Sequence, residues 1–132
     1  MNQNRKIVFT ACLLGGFAVM FGAFGAHGLK DLVTAESVAS FQTGTRYMLL
    51  HAVVLLIFGL SGDQIFSSTQ KSVLYVLWLI GILFFSGSIF LLVLNNVWRW
   101  EFIRFLGPLT PLGGALLIIG WFYAGWSSLR NH

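Results

Sequence analysis

The chain has 132 residues, 57% hydrophobic and 9% charged, with a mean hydropathy of +0.82. A soluble domain carries about 25% charged residues, so this composition excludes a water-facing globule and requires lipid as solvent. The formal charge of +4 comes from Arg5, Lys6, Lys30, Arg46, Lys71, Arg99, Arg104 and Arg130 against four acidic residues. These cations lie at the ends of apolar runs, as snorkelling side chains do, and form no nucleic-acid patch.

Residues 7–26 contain no charge and are long enough to cross the hydrocarbon core as a first helix, which needs about 20 residues. Arg5 and Lys6 before this run and small residues at its end resemble a signal peptide, but the run is of spanning rather than signal length. A retained span is therefore expected. Cys12 is the only cysteine, so no intrachain disulfide forms, and it reads as a small apolar residue. Ala11, Gly15, Ala18, Gly22 and Gly25 recur at intervals of four, three, four and three, which puts all five on one side of the helix. Such a stripe lets a neighbouring backbone approach closely, either within the monomer, the favoured reading, or at a dimer seam.

After the polar turn 27–34, Thr34 followed by Glu36 is a helix start, with the anion in the first turn. One helix is expected over 35–61. An interfacial extension covers about 35–46 and a span about 42–62. On it Ser40, Gly44, Tyr47 and His51 share a stripe, while Gln42 and Arg46 lie roughly opposite. A connector follows, then a third span over 72–94. Residues 95–104 (NNVWRWEFIR) form an aromatic, charged loop suited to headgroup level. The fourth span, over 105–129, opens with Pro108 and Pro111, which mark or kink its start. None of the runs alternates in polarity as a barrel strand does. The expected fold is all-α: one domain, 1–132, of four transmembrane helices in an antiparallel bundle.

Four spans put both termini on one side, and the basic residues divide four against four between the two sides. Arg5 and Lys6 flank the first span, which usually dominates orientation, so the termini are expected in the cytoplasm.

The half of the bundle away from the termini gathers His27, Gln42, Thr43, Arg46, Tyr47, His51, Ser86, Ser88 and Thr110, with Asn95 and Asn96. The opposite half reads as almost purely apolar. Three uses of the polar half compete. His27 and His51 would ligate haem if both faced one planar cavity. His51, the one ionisable group clearly inside a span, would serve a proton or ion path. In the simplest reading His51, Tyr47 and Ser86 hydrogen-bond across helices and set the register of the bundle. No catalytic triad, carboxylate pair or phosphate loop is present, so the chain is expected not to be an enzyme and to carry no metal or cofactor.

Four segments in order, GAFGAHGL (22–29), QTG with Tyr47 and His51 after it (42–51), FSGS (85–88) and GPLTPLGG (107–114), resemble the YgdD/YwdK family of small bacterial inner-membrane proteins. That family is a domain of unknown function with eukaryotic small transmembrane relatives. The resemblance covers nearly the whole chain and implies a four-helix protein of the bacterial inner membrane. It brings no activity, and it directs attention to His27, Gln42, Thr43, Gly44, Tyr47, His51, Ser86, Gly87, Ser88, Thr110 and Pro111. The function expected is a structural or accessory one, with the lipid bilayer, another membrane protein or a second copy as partner and no nucleic acid. The alternative is a small transporter or channel module using His51 and its polar neighbours. A haem or quinone binder is third.

Overall fold

The computed structural model describes residues 2–61 and 64–130. Helix α1 spans Gln3–His27, α2 Ala35–Leu60, α3 Ser68–Trp98 and α4 Leu109–Arg130, with a 3-10 helix at Glu101–Leu106 before α4. Among the described residues there is no strand. All four helices, the last counted from Ile103, are long and apolar enough to cross a bilayer. Lipid offers no hydrogen bonds, so the backbone must satisfy its own, and the helix does so within each segment.

Helices α1, α2 and α3 begin before their charge-free runs because local capping, rather than hydropathy, starts them. Asn2 caps α1 by accepting from the Asn4 N–H, and Thr34 caps α2 by accepting from the Ser37 N–H. Ser67 and Gln70 form a reciprocal capping box. This starts α3 four residues before the apolar run at 72. Its 31 residues give a length of about 46 Å, so its ends stand in the headgroup zones. Arg99 ends α3 in the left-handed conformation (φ 50, ψ 50), the one described non-glycine residue with positive φ. That conformation costs a side-chain-bearing residue about 1–2 kcal/mol.

Successive helices run antiparallel. Helix α1 packs mainly on α2 and α4 mainly on α3, with α2 and α3 as the central pair. The small-residue stripe of α1 faces α2 within the monomer. Ala11 and Ala18 are buried, and Cβ atoms added at Gly15, Gly22 and Gly25 would meet Ala52, Thr45 and Phe41. A second close approach joins α3 to α4. A Cβ on Gly113 would overlap the backbone nitrogen of Phe85 and come within 2.8 Å of the Gly81 carbonyl oxygen. Phe90 lies between Phe21 and Phe41, with ring centroids 4.9 and 4.7 Å away, and locks α1, α2 and α3 together. The outward positions, Val19, Met20, Ile57 and Phe122 among them, are large, apolar and exposed, as a lipid-facing surface requires.

Candidate functional site

The stripe read on α2 faces α3 and α4. Ser86 on α3, completely buried, donates its hydroxyl to the Gly44 carbonyl over 2.7 Å. A Cβ on Gly44 would meet Phe90 at 2.9 Å, so the absent side chain is what admits this interhelical bond. One turn further on, the Tyr47 ring packs against Phe85 at 4.8 Å. Its carbonyl lies 2.9 Å from Nδ1 of His51.

His51 is buried, and Nε2 accepts the indole N–H of Trp121 on α4 over 3.2 Å. An indole nitrogen only donates, so Nε2 is the unprotonated nitrogen and Nδ1 carries the proton given to the Tyr47 carbonyl. Both ring nitrogens are thereby committed in a neutral imidazole. This arrangement offers neither a free ligating nitrogen for haem nor an open site for a travelling proton.

The remaining residues of the polar set separate. Ser88 and Thr110 meet at 2.5 Å and join α3 to the first turn of α4, with the Ser88 hydroxyl also donating to the Phe85 carbonyl. Thr43 turns back to the Ala39 carbonyl within α2. Gln42 is half-buried, and Arg46 is exposed on the bundle surface. His27 is exposed in the last turn of α1, and its imidazole forms no hydrogen bond with a described residue. The two histidines are not brought to a shared cavity, and among the described residues no group of three or more His, Cys, Asp or Glu could hold a metal.

Two features escaped the residue-by-residue reading. The first corrects the expectation of an apolar half near the termini. There Gln3 donates to the Ser72 hydroxyl at 2.8 Å and to the Ser68 carbonyl at 3.2 Å, and Thr10 meets the Tyr75 hydroxyl at 2.8 Å. Lys71 is completely buried, donates to Asn4 over 3.2 Å and lies 5.7 Å from the Phe58 ring centroid. The hydrogen-bonded partners stand 65 or more positions apart in the chain, so no window of sequence contains them together. The signal for the cluster was the capping box at Ser67, which extends α3 back to Lys71 and Ser72.

The second is a pair of adjoining cavities at the opposite end. One, of about 580 Å³, is bounded by Asn95, Asn96, Arg99, Trp100, Glu101 and Arg104. The other, of about 330 Å³, runs between α2, α3 and α4, with Glu36, Ser37, Ser40 and Thr110 as its polar lining and Ile89, Leu92 and Val93 as its apolar lining. Leu92 and Asn96 belong to both. Asn95 accepts the Trp100 backbone N–H, and Asn96 donates to Ser37 across to α2 at 3.1 Å, so the walls are fixed by side chains of α3.

A bundle of four apolar helices with polar side chains paired across its helices and aromatic ends defines a multi-pass α-helical membrane protein. Residues 21–114 match the family model described as protein of unknown function, DUF423. The chain is 42% identical over 119 residues to a UPF0382 membrane protein of Staphylococcus aureus strain bovine RF122, covering 89% of each chain. It is 35% identical over 133 residues to a UPF0382 membrane protein of Haemophilus influenzae, covering 98% of each. With the UPF0382 membrane protein YwdK of Bacillus subtilis it shares 38% identity over 106 residues, 79% of this chain and 80% of the relative. The chain belongs to this family of uncharacterised membrane proteins, as its sequence motifs implied. No solved structure matches it.

Proposed function

We propose that this protein is a non-catalytic accessory protein of the bacterial inner membrane that holds a lipid molecule in the groove between α2, α3 and α4, at the end away from its termini. The observation that carries this reading is the groove's two-sidedness. Hydroxyls of Ser37, Ser40 and Thr110 face the apolar side chains of Ile89, Leu92 and Val93 across a cavity of about 330 Å³. An amphipathic occupant matches such walls, whereas a small polar substrate would leave the apolar side unfilled and a purely apolar one would lie against the hydroxyl of Ser40 and the carboxylate of Glu36. The deeper polar groups support the same reading, because His51, Ser86 and Ser88 are engaged in helix-to-helix or backbone hydrogen bonds.

Native mass spectrometry from mild detergent tests it. A monomer carrying one phospholipid is expected, and Leu92→Trp, which fills the groove from its apolar side, is expected to release it. A monomer with nothing attached counts against the reading. A tight dimer without lipid would assign the groove to a second copy.

A further inference from the structure

Resting on that lipid-groove reading, we infer that the cavity beneath Arg99 and Arg104 is the headgroup site for an anionic phospholipid, whose acyl chain enters the adjoining groove along Leu92 and Ile89.

Three independent observations converge. First, both arginines line the polar cavity with the amide groups of Asn95 and Asn96, and neither is paired with Glu101 or with any other described residue. A guanidinium offers a planar fork of donors that matches phosphate oxygens, and the amides add neutral donors. Second, Arg99 occupies a helix-ending left-handed position (φ 50) where glycine is the usual residue. The backbone gains nothing from arginine there and is strained by it, so the side chain is what the position supplies. Third, the depth is that of lipid headgroups. Trp98 and Trp100 stack at 5.1 Å beside the cavity, and Phe105 is 82% exposed on the 3-10 helix that forms its rim. Aromatic side chains of this kind sit at the membrane–water boundary. Leu92 and Asn96, common to both cavities, make the path from phosphate to acyl chain continuous. Glu101 in the polar cavity and Glu36 at the adjoining groove both oppose an anion, so they lower the preference without removing it.

The test uses the full chain in nanodiscs of equal parts phosphatidylglycerol and phosphatidylcholine, with native mass spectrometry of the lipid retained after release. Wild type is expected to retain phosphatidylglycerol over phosphatidylcholine by about tenfold or more. The single variants Arg99→Gly and Arg104→Gln each lose about threefold of that preference, and the double variant reaches parity. Glu101→Gln increases it. Arg99→Gly melts no lower than wild type, because glycine accepts the backbone conformation, so its loss of lipid is not a loss of fold. Arg5→Gln with Arg130→Gln, which removes two cations from the other end, leaves the preference intact. Undiminished preference in the Arg99 and Arg104 variants, or equal loss in the control, overturns the inference. Equal retention of both lipids by wild type overturns the headgroup assignment and leaves the groove reading standing. Retention of neither overturns both.

Discussion

The indole N–H of Trp121 on α4 and Nε2 of His51 on α2 stand 3.2 Å apart, and this bond ties the last helix to the second across the face of α3. Trp121 is itself half exposed, yet its one polar atom is turned inward. A double-mutant cycle with His51→Ala and Trp121→Phe is expected to give a coupling of about 0.6–1.7 kcal/mol, the range for interhelical hydrogen bonds in membrane bundles. Nitrogen NMR of labelled imidazole should find Nδ1 protonated and Nε2 bare. A protonated Nε2 would mean that Trp121 is not its donor and would reopen the proton-path reading of His51.

Ser86 on α3 donates an interhelical hydrogen bond of 2.7 Å to the backbone carbonyl of Gly44 on α2. Replacing it with alanine leaves that carbonyl with its helical bond and removes one cross-helix contact. The expected cost is about 1 kcal/mol in reversible unfolding from detergent micelles. No change in unfolding free energy would deny this hydroxyl any part in setting the register of α2 against α3.

Gly113 should be far less tolerant. A methyl group there meets backbone of α3 at Phe85 and Gly81 rather than a side chain that can rotate away. Gly113→Ala is expected to push α4 off α3 and destabilise the bundle by about 1–3 kcal/mol. Gly87→Ala on α3, where an added Cβ meets nothing within 4 Å, is the matched control and should be neutral. Equal melting temperatures for the two variants would refute the close α3–α4 approach.

Near the termini, Tyr75→Phe removes the hydroxyl that Thr10 meets at 2.8 Å while keeping the ring. A loss of about 0.5–1.5 kcal/mol is expected, and Thr10→Val should add little to it because the two changes delete the same bond. Fully additive effects would show that the two hydroxyls act separately.

If the termini lie in the cytoplasm, as Arg5 and Lys6 beside the first span lead one to expect, an engineered cysteine at Val97, which is 37% exposed, should react with a membrane-impermeant maleimide added to intact cells. One at Ile65, 53% exposed, should be protected until the membrane is opened. Cys12, which is exposed on α1, is replaced by alanine in both. The reverse labelling pattern would overturn the expected orientation.

Hydropathy alone carried the class and the helix count of this protein, because a bilayer leaves a charge-poor chain few alternatives to spanning helices. Helical periodicity likewise carried the stripe of α1 from Ala11 to Gly25, since spacing determines a shared face whatever the neighbour is. The neighbour itself was not legible. Only packing decided that the stripe meets Ala52, Thr45 and Phe41 of α2. The polar set illustrates the same limit. Its members share one half of the membrane by topology, but depth is not contact. Tertiary structure joined His51 to Trp121, a residue valued in the sequence only as an interfacial aromatic, and left His27 exposed and apart. It also gathered Gln3, Asn4, Lys71 and Ser72 into a polar cluster where the apolar runs predicted almost none. Hydropathy ranks residues one window at a time. A cluster or a cavity, such as the one between Arg99 and Arg104, is made by residues from separate segments, and it exists only once capping and turn geometry have aimed them at one another.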